Sequence, residues 1–162
     1  MSIATKRDGV WEYTGPLDVD EVTITGENCT GVVVDGQWKG QQYQGALLKN
    51  VKHGKGVQTW PSGQRYEGEW KDDKMRGKGV HTWRNGKTYE GEFKDGKKHG
   101  KGVHAWPDGM RYEGEFKDGK ISYGVLTYTD GIQSLVTYDK NGKEVKAVKG
   151  IIFILIDGYS YQ

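Results

Sequence analysis

Polar and apolar positions alternate over short segments of this chain. In residues 89–93, Tyr-Glu-Gly-Glu-Phe, the two rings and the glycine fall on one face and the glutamates on the other, which predicts a strand with an aromatic face. The Asp-Gly pair at 95–96 predicts a tight reversal, because glycine accepts a positive φ without a steric clash. A second strand follows at 102–106, and Pro-Asp-Gly at 107–109 predicts a closing turn. The unit is therefore a β-hairpin.

The same unit recurs with a fixed period of 23 residues. Four tyrosines share one phase of it, namely Tyr43, Tyr66, Tyr89 and Tyr112. A period of this length is typical of stacked supersecondary units that cannot bury their apolar faces alone. We therefore predict four hairpin repeats over residues 43–134, joined into an elongated, single-layer antiparallel sheet that advances roughly 10 Å per unit. The predicted fold class is all-β, and no helical pattern competes with it.

The N-terminal flank, residues 1–42, is predicted to form an atypical β cap or degenerate repeat. Its strands are expected at 22–25 and 31–34, with turns at Gly26 and at 35–36. These strands would continue the sheet.

The C-terminal flank, residues 135–162, is predicted to hold another hairpin, with strands at 135–138 and 144–148, and then a strand of six apolar residues. Such a strand is normally buried on both faces, and an exposed one promotes aggregation. We expect it to contact a second copy of the chain or a partner, or to fold back as an internal cap. The six residues are Ile151, Ile152, Phe153, Ile154, Leu155 and Ile156.

The aromatic face is the first candidate binding surface. The glycine between Tyr89 and Phe93 leaves space for rings from the neighbouring strand, and we expect stacked rings to form a spine. These rings are either the core of a thin sheet or an exposed groove that receives a peptide or a helix. The candidate residues are Tyr43, Trp60, Tyr66, Trp70, Trp83, Tyr89, Phe93, Trp106, Tyr112 and Phe116.

Composition agrees with a thin structure. Only 34% of the 162 residues are apolar, 28% are charged and 26 are glycine, so a thick globular core is hard to assemble. The 12% of aromatic residues argue against a disordered chain. The single cysteine, Cys29, excludes an intrachain disulfide framework. No apolar run follows Lys6 and Arg7, so we expect a cytoplasmic protein that is not secreted.

Positive charge is concentrated in the first hairpin units, since residues 43–65 contain four basic and no acidic residues. The lysines either solvate the sheet, with Glu67, Glu90 and Glu113 as cross-strand ion-pair partners, or bind anionic lipid head groups from the hairpin loops. Nucleic acid is disfavoured because basic and acidic residues alternate. The candidate lipid-binding residues are Lys49, Lys52, Lys55, Lys97, Lys98 and Lys101.

Catalysis and metal binding find little support in the sequence. His53 and His99 share a predicted loop phase of the repeat, whereas His81 and His104 share a strand phase, so repetition explains their placement. No serine or cysteine lies in a nucleophile motif, and no cysteine pair supports a metal site. We therefore predict no catalytic residue, no metal and no cofactor.

Residues 66–124 resemble MORN (membrane occupation and recognition nexus) repeats, whose pattern is close to YEGEWxxGKxHGxG. The resemblance is close in that range, good over 43–65 and weak elsewhere. Asp73 departs from the pattern because it stands where Gly96 stands one unit later. In the last unit Ser122-Tyr123 replaces Lys98-His99, which indicates a terminal variant.

The resemblance implies a non-enzymatic scaffold that docks into a larger cytoskeletal, axonemal or organellar assembly, often as a homodimer. In this hypothesis the aromatic face and the apolar C-terminal strand make the contacts. The alternative is a peripheral membrane adaptor that binds anionic phospholipids through the basic loops.

Overall fold

The computed structural model describes residues 3–7, 10–14, 26–32, 40–139 and 143–149. In these ranges the chain forms one sheet of thirteen strands, each hydrogen-bonded to the next in sequence order. The flanking strands are β1 (Ile3–Arg7), β2 (Val10–Thr14), β3 (Gly26–Val32), β12 (Gln133–Tyr138) and β13 (Glu144–Lys149). The repeat strands are β4 (Gln42–Leu48), β5 (Val51–Thr59), β6 (Arg65–Lys71), β7 (Lys74–Thr82), β8 (Thr88–Lys94), β9 (Lys97–Ala105), β10 (Arg111–Lys117) and β11 (Lys120–Thr127).

The predicted all-β fold of tandem antiparallel hairpins is confirmed. In the third unit Asp95 and Gly96 both take positive φ values, 50° and 78°, as the tight hairpin turn requires. The closing turn is also present, with the Gly109 amide donating to the Trp106 carbonyl at 3.1 Å. Asp73 reaches a φ of 63° without being glycine, and its carboxylate accepts a hydrogen bond from the Lys52 amide at 2.8 Å.

The second strand of each hairpin starts earlier than the sequence indicated. β9 begins at Lys97, directly after the turn, and not at residue 102. His99 and its equivalent His53 therefore lie in strands and not in loops. The strand can start early because a β-bulge absorbs two residues: Gly91 pairs with Gly102, the next pair is Glu92 with His99, and the two residues between are left over.

The last hairpin departs from the repeat at this bulge. Phe116 pairs with Ile121, whereas Phe93 pairs with Lys98. Ile121 is thus the structural equivalent of Lys98, which corrects the sequence alignment of Ser122 with that lysine. β11 has eight residues where β9 has nine, so the fourth unit has a smaller bulge.

The N-terminal flank contains strands and a pairing that were not predicted from the sequence. The sequence did not indicate β1 or β2, and β2 pairs with β3 in parallel, whereas the other pairs among the described strands are antiparallel. Gly26 begins β3 instead of forming a turn, next to a register shift between Gly26 and Cys29, where glycine is commonly found. The predicted segment 22–25 lies outside the described residues.

In the C-terminal flank β12 pairs with β13 in antiparallel register. Its turn at 141–142 and the apolar strand Ile151–Ile156 lie outside the described residues.

The sheet has two different faces. One, the aromatic face, buries Tyr66, Tyr89 and Tyr112 completely, at 0% exposure. The other, which we name the groove face, carries the glutamates that alternate with these rings, among them Glu90 and Glu113. The core is therefore a single layer of side chains on the aromatic face.

Candidate functional site

Most of the predicted aromatic binding surface is the core of the protein itself. Seven of the ten candidate residues are buried, with exposures of 5% or less. Trp60, Trp83 and Trp106 are partly buried and pack against this core, so within this set of ten only they offer ring surface to a partner. The seven buried residues are Tyr43, Tyr66, Trp70, Tyr89, Phe93, Tyr112 and Phe116.

The buried rings meet edge to face and not in the stacked arrangement that we predicted. Tyr89 lies 5.1 Å from Phe93 at 88° and 4.8 Å from Phe116 at 78°. Tyr66 meets Trp70 at 5.0 Å and 90°. Edge-to-face geometry follows from the ring quadrupole, which sets a positive edge against a negative face. The row continues from one repeat to the next and fixes neighbouring hairpins to each other.

Each repeat tyrosine lies across a pair of glycines. A Cβ atom on Gly102 would lie 2.5 Å from the Tyr89 hydroxyl, and one on Gly91 would lie 2.6 Å from the Gly102 Cα. The ring that fills this space is that of Tyr89, two residues before Gly91 on the same strand, whereas we had expected a ring from the neighbouring strand. The Tyr89 hydroxyl donates to the Glu92 carbonyl at 2.9 Å, beside the bulge. The pKa of Tyr89 is raised to about 12, mainly by burial and to a smaller extent by the charge of Glu92.

A second row of rings runs beside the first and is stacked. It alternates tryptophan and histidine, with ring centroids 4.2 to 5.6 Å apart and interplanar angles of 29° or less. We call it the Trp/His ladder. Its members are Trp60, His81, Trp83, His104 and Trp106.

The two ladder histidines are held neutral. The pKa of His81 is lowered to about 4, mainly by burial and to a smaller extent by the nearby Lys98 ammonium. The pKa of His104 is lowered to about 4 by burial, by Lys98 and by Lys87. Within the described ranges the Nε2 atoms of both rings have no hydrogen-bond partner. These histidines serve as flat, neutral rings at neutral pH.

Lys98 lies on the aromatic face with its amine among rings. Its Nζ is 4.7 Å from the Trp83 ring centroid, 5.0 Å from that of Tyr89 and 5.7 Å from that of Phe116. The same Nζ lies 3.1 Å from His104 Nδ1. The pKa of Lys98 is lowered to about 8, mainly by burial and to a smaller extent by the charge of Lys87.

Lys52 occupies the equivalent position in the first hairpin. Its Nζ is 4.6 Å from the Trp70 ring centroid and donates to Gln58 Oε1 at 2.5 Å. Burial lowers the pKa of Lys52, and the charge of Asp73 opposes that effect.

The six predicted lipid-binding lysines do not share a surface. Only Lys49 lies in a turn, and the other five lie in strands. Lys52 and Lys98 cover rings on the aromatic face, whereas Lys55 and Lys101 pair in register with Glu69 and Glu115 on the groove face. Lys97 is exposed beside the hairpin turn.

The groove face carries a row of alternating valine and glutamate side chains across the strands. Val80 pairs in register with Glu90, Glu90 with Val103, and Val103 with Glu113. A second row alternates lysine and glutamate, as in the pair of Lys78 with Glu92. This face was not predicted from the sequence, although valines at 57, 80 and 103 follow the same period of 23 residues.

Ion pairing on this face differs from the prediction. Glu67 and Glu113 pair with Arg65 at 2.6 Å and with Arg111 at 2.9 Å, two residues earlier on their own strands. The cross-strand neighbours of Glu67, Glu90 and Glu113 are valines, so the expected cross-strand ion pairs with these glutamates do not form.

A groove of about 860 Å³ lies over this face between β7 and β12. Its lining includes the apolar side chains of Val80, Val103, Val125, Tyr123 and Leu135. Four glutamates and two lysines also line it, namely Glu90, Glu92, Glu113, Glu115, Lys78 and Lys101. The groove therefore combines an apolar floor with an excess of negative charge.

One of these carboxylates has a structural partner. Glu92 Oε1 accepts a hydrogen bond from the Lys101 amide at 3.3 Å, within the bulge. Gly100 has a φ of 57°, and a Cβ atom there would lie 2.7 Å from Glu92 Oε2. Glu92 thus stabilises the bulge, whereas Glu90 projects from the middle of its strand.

Neither a metal site nor a membrane-spanning helix is found in the part of the chain that the structure describes. No three His, Cys, Asp or Glu side chains there converge as metal ligands would. No helix in that part is long and apolar enough to cross a membrane.

Comparison with known proteins identifies the repeat. The family model for the MORN repeat matches four consecutive segments, residues 43–65, 66–88, 89–111 and 112–133. No curated protein matches the chain.

Proposed function

This chain belongs to the MORN repeat family, and from that membership we propose that it is a non-enzymatic scaffold whose groove face binds an amphipathic, basic helix of a protein partner. MORN repeats are generally modules for protein or membrane interactions. MORN proteins are also often associated with membranes or the cytoskeleton. The observation that carries the proposal is the groove between β7 and β12, which is apolar at its floor and acidic overall.

Charge complementarity favours a basic partner. The groove lining holds four carboxylates against two ammonium groups. Lysine or arginine side chains on a partner would find Glu90 without a cation opposite it in register, since its neighbours are Val80 and Val103. An acidic partner would be repelled.

The spacing of the groove favours a helix. Valine and glutamate recur every second strand along the row, which is roughly 10 Å. Seven residues of an α-helix also advance about 10.5 Å, so a heptad pattern of apolar and basic residues keeps in phase with the row. A helix satisfies its own backbone hydrogen bonds, whereas an extended segment on a sheet face would leave its amides and carbonyls facing valines.

The apolar C-terminal strand and the basic residues predicted from the sequence are also proposed contacts. The apolar strand Ile151–Ile156 is a proposed second contact, to a partner or to another copy of the chain in a larger assembly. Binding of anionic phospholipid is the alternative function. It has less support, because the candidate lysines are divided between the aromatic face, the groove face and a turn.

The test is a titration of the full chain against two labelled three-heptad helical peptides. Both carry leucine at the apolar positions, and they differ only in having arginine or glutamate at the flanking positions. Fluorescence anisotropy should report binding of the arginine peptide and at least tenfold weaker binding of the glutamate peptide. A difference of this size is on the order of the coupling energy of one charge pair. Equal affinities would contradict the proposal.

A matched pair of variants locates the site. Glu90→Lys, within the groove, should weaken binding of the arginine peptide several-fold. Glu67→Lys changes the equivalent residue of the preceding repeat, which lies outside the groove lining. It should change binding of the arginine peptide less than Glu90→Lys does. If the two variants act alike, the groove is not the site. If the chain instead sediments with vesicles rich in phosphatidylserine and releases them in salt, the lipid alternative is supported.

A further inference from the structure

We propose that Glu115 and Tyr123 form a pocket that binds an arginine side chain of the protein partner. Both residues line the groove, and they pair with each other in register on β10 and β11. The inference rests on the proposed function, because it names the residue type that would anchor a basic helix in the groove. Its evidence is a break in the repeat at this position.

The break is seen when Tyr123 is aligned with the preceding repeats. In the first three hairpins a lysine comes directly before the second glycine of the glycine pair, as Lys101 comes before Gly102. In the fourth hairpin Tyr123 stands there, before Gly124. The row of alternating lysine and glutamate therefore ends in an aromatic ring, where the repeat would have placed another cation.

The carboxylate of Glu115 is not engaged by the part of the chain that the structure describes. The equivalent carboxylate, that of Glu92, accepts a hydrogen bond from the Lys101 amide at 3.3 Å. The hydrogen bond found at Glu115 reaches its backbone carbonyl instead, from the Tyr112 hydroxyl at 3.1 Å. Lys101 faces Glu115 in register, but the ion pairs among the described residues do not include these two.

The smaller bulge of the fourth hairpin accounts for this difference. In the third hairpin, Gly100 with a φ of 57° comes directly before the amide that binds Glu92. The fourth hairpin has no glycine between residues 120 and 124, and its Glu115 pairs with Tyr123 instead. The carboxylate is thus left available to a ligand, beside a ring.

Tyr123 contributes that ring to the open side of the groove. Its side chain is 52% exposed, whereas Tyr112 on the aromatic face is completely buried. Residues directly opposite each other on antiparallel strands have Cβ atoms about 5 Å apart. The ring of Tyr123 and the carboxylate of Glu115 are therefore close enough to contact the same planar cation.

An arginine side chain fits this pair of groups better than a lysine side chain does. A guanidinium group is planar, donates two parallel hydrogen bonds to one carboxylate and stacks on an aromatic ring. An ammonium group is more strongly hydrated and cannot make the parallel pair of hydrogen bonds. The excess of carboxylates over ammonium groups in the groove lining favours a cation of either kind.

The other three glutamates of the groove lining lack this combination. Glu90 and Glu113 each lie between two valines in register. Glu92 is held by the bulge. Among these four residues, Glu115 is the one that has both a carboxylate without a partner in the described chain and a tyrosine ring beside it. We therefore place the arginine at the β10–β11 end of the groove.

The test compares two labelled three-heptad helical peptides with leucine at the apolar positions and either arginine or lysine at the flanking positions. Fluorescence anisotropy with the full chain should show at least about threefold tighter binding of the arginine peptide. Tyr123→Leu should make the two affinities equal, whereas Tyr123→Phe keeps a ring and should keep the preference. Equal affinities in the natural chain, or a preference that survives in Tyr123→Leu, would overturn the proposal.

A matched pair of variants tests the carboxylate. Glu115→Gln keeps the shape of the side chain and removes its charge, so it should weaken binding of the arginine peptide several-fold. Glu92→Gln makes the same change one repeat earlier, at a carboxylate that the bulge already occupies, and should weaken binding less. Equal losses in the two variants would overturn the assignment of Glu115.

A second measurement separates the pocket from the proposed helix. N-acetylarginine amide, titrated into the full chain with isotopically labelled tyrosine, should shift the Tyr123 ring signals in NMR spectra, and N-acetyllysine amide should shift them less. The spectrum of Tyr123→Phe identifies these signals. An arginine-specific shift without binding of either helical peptide would support the pocket and overturn the proposed function. Binding of both peptides without an arginine-specific shift would overturn the pocket and leave the proposed function in place.

Discussion

The aromatic face and the groove face are built from alternate residues of the same strands, yet they differ in how closely their atoms are packed. Tyr89 and Phe93 are enclosed by neighbouring rings, whereas Val80 on the other face keeps 36% of its surface exposed. One face therefore holds the repeats together and leaves little free surface. The other is less closely packed, so we expect it to contribute less to stability, and it is the face that we propose binds a partner.

The largest expected effect comes from filling the space over the glycine pair. Gly91→Val would place a Cβ atom 2.6 Å from the Gly102 Cα and displace the Tyr89 ring, so the free energy of unfolding should fall by about 2–3 kcal/mol. Urea denaturation followed by circular dichroism measures this. The matched control, Glu90→Val, puts the same side chain one residue away on the groove face and should change stability by less than about 0.5 kcal/mol. Equal losses would remove the distinction between the faces.

A smaller effect is expected from removing one hydroxyl. Tyr89→Phe leaves the Glu92 carbonyl without the donor that now lies 2.9 Å away, and unfolding free energy should fall by about 1–2 kcal/mol. Tyr123→Phe is the control, because Tyr123 lies in the groove and is 52% exposed. A Tyr89→Phe protein as stable as the Tyr123→Phe protein would show that the hydroxyl contributes nothing to the aromatic face.

Acid should weaken the aromatic face through its histidines. His81 and His104 have a pKa near 4 in the folded chain, against about 6.5 when unfolded. The unfolded state binds more protons between these values, so their contribution to stability is complete above pH 6.5 and decreases as the pH falls toward 4. Thermal melts should show a steeper loss over this window in the natural protein than in a His81→Gln, His104→Gln double variant. Parallel curves would contradict the assignment.

The smallest effect is expected on the exposed valines. Val80→Thr keeps the β-branched shape that suits a strand and changes a partly solvated side chain. Its unfolding free energy should stay within about 0.5 kcal/mol of the natural value. A larger loss would mean that the groove face also has a packed core.

The hairpins, their turns and the face of each ring could be predicted from the sequence, because alternation and turn glycines act locally. The bulge could not, since it depends on the register of two strands. The glycines at 100 and 102, two residues apart, are the signal that was available for it. The same limit explains the early start of β9 and the Ile121 alignment. The Trp/His ladder joins residues of three hairpins, and the parallel pairing of β2 with β3 joins distant segments, so neither follows from local pattern.

Hydrogen bonds from the hairpin turns connect successive repeats. The Gly96 amide donates to the Met75 carbonyl at 3.0 Å, and the Gly119 amide donates to the Lys98 carbonyl at 2.9 Å. Each hairpin thus recognises the one before it by the same backbone contact, whatever the side chains are. The number of repeats therefore sets the length of the array, in steps of roughly 10 Å. Duplication or loss of one 23-residue unit would change the distance between the two flanks by one such step and leave the contacts between the other repeats unchanged.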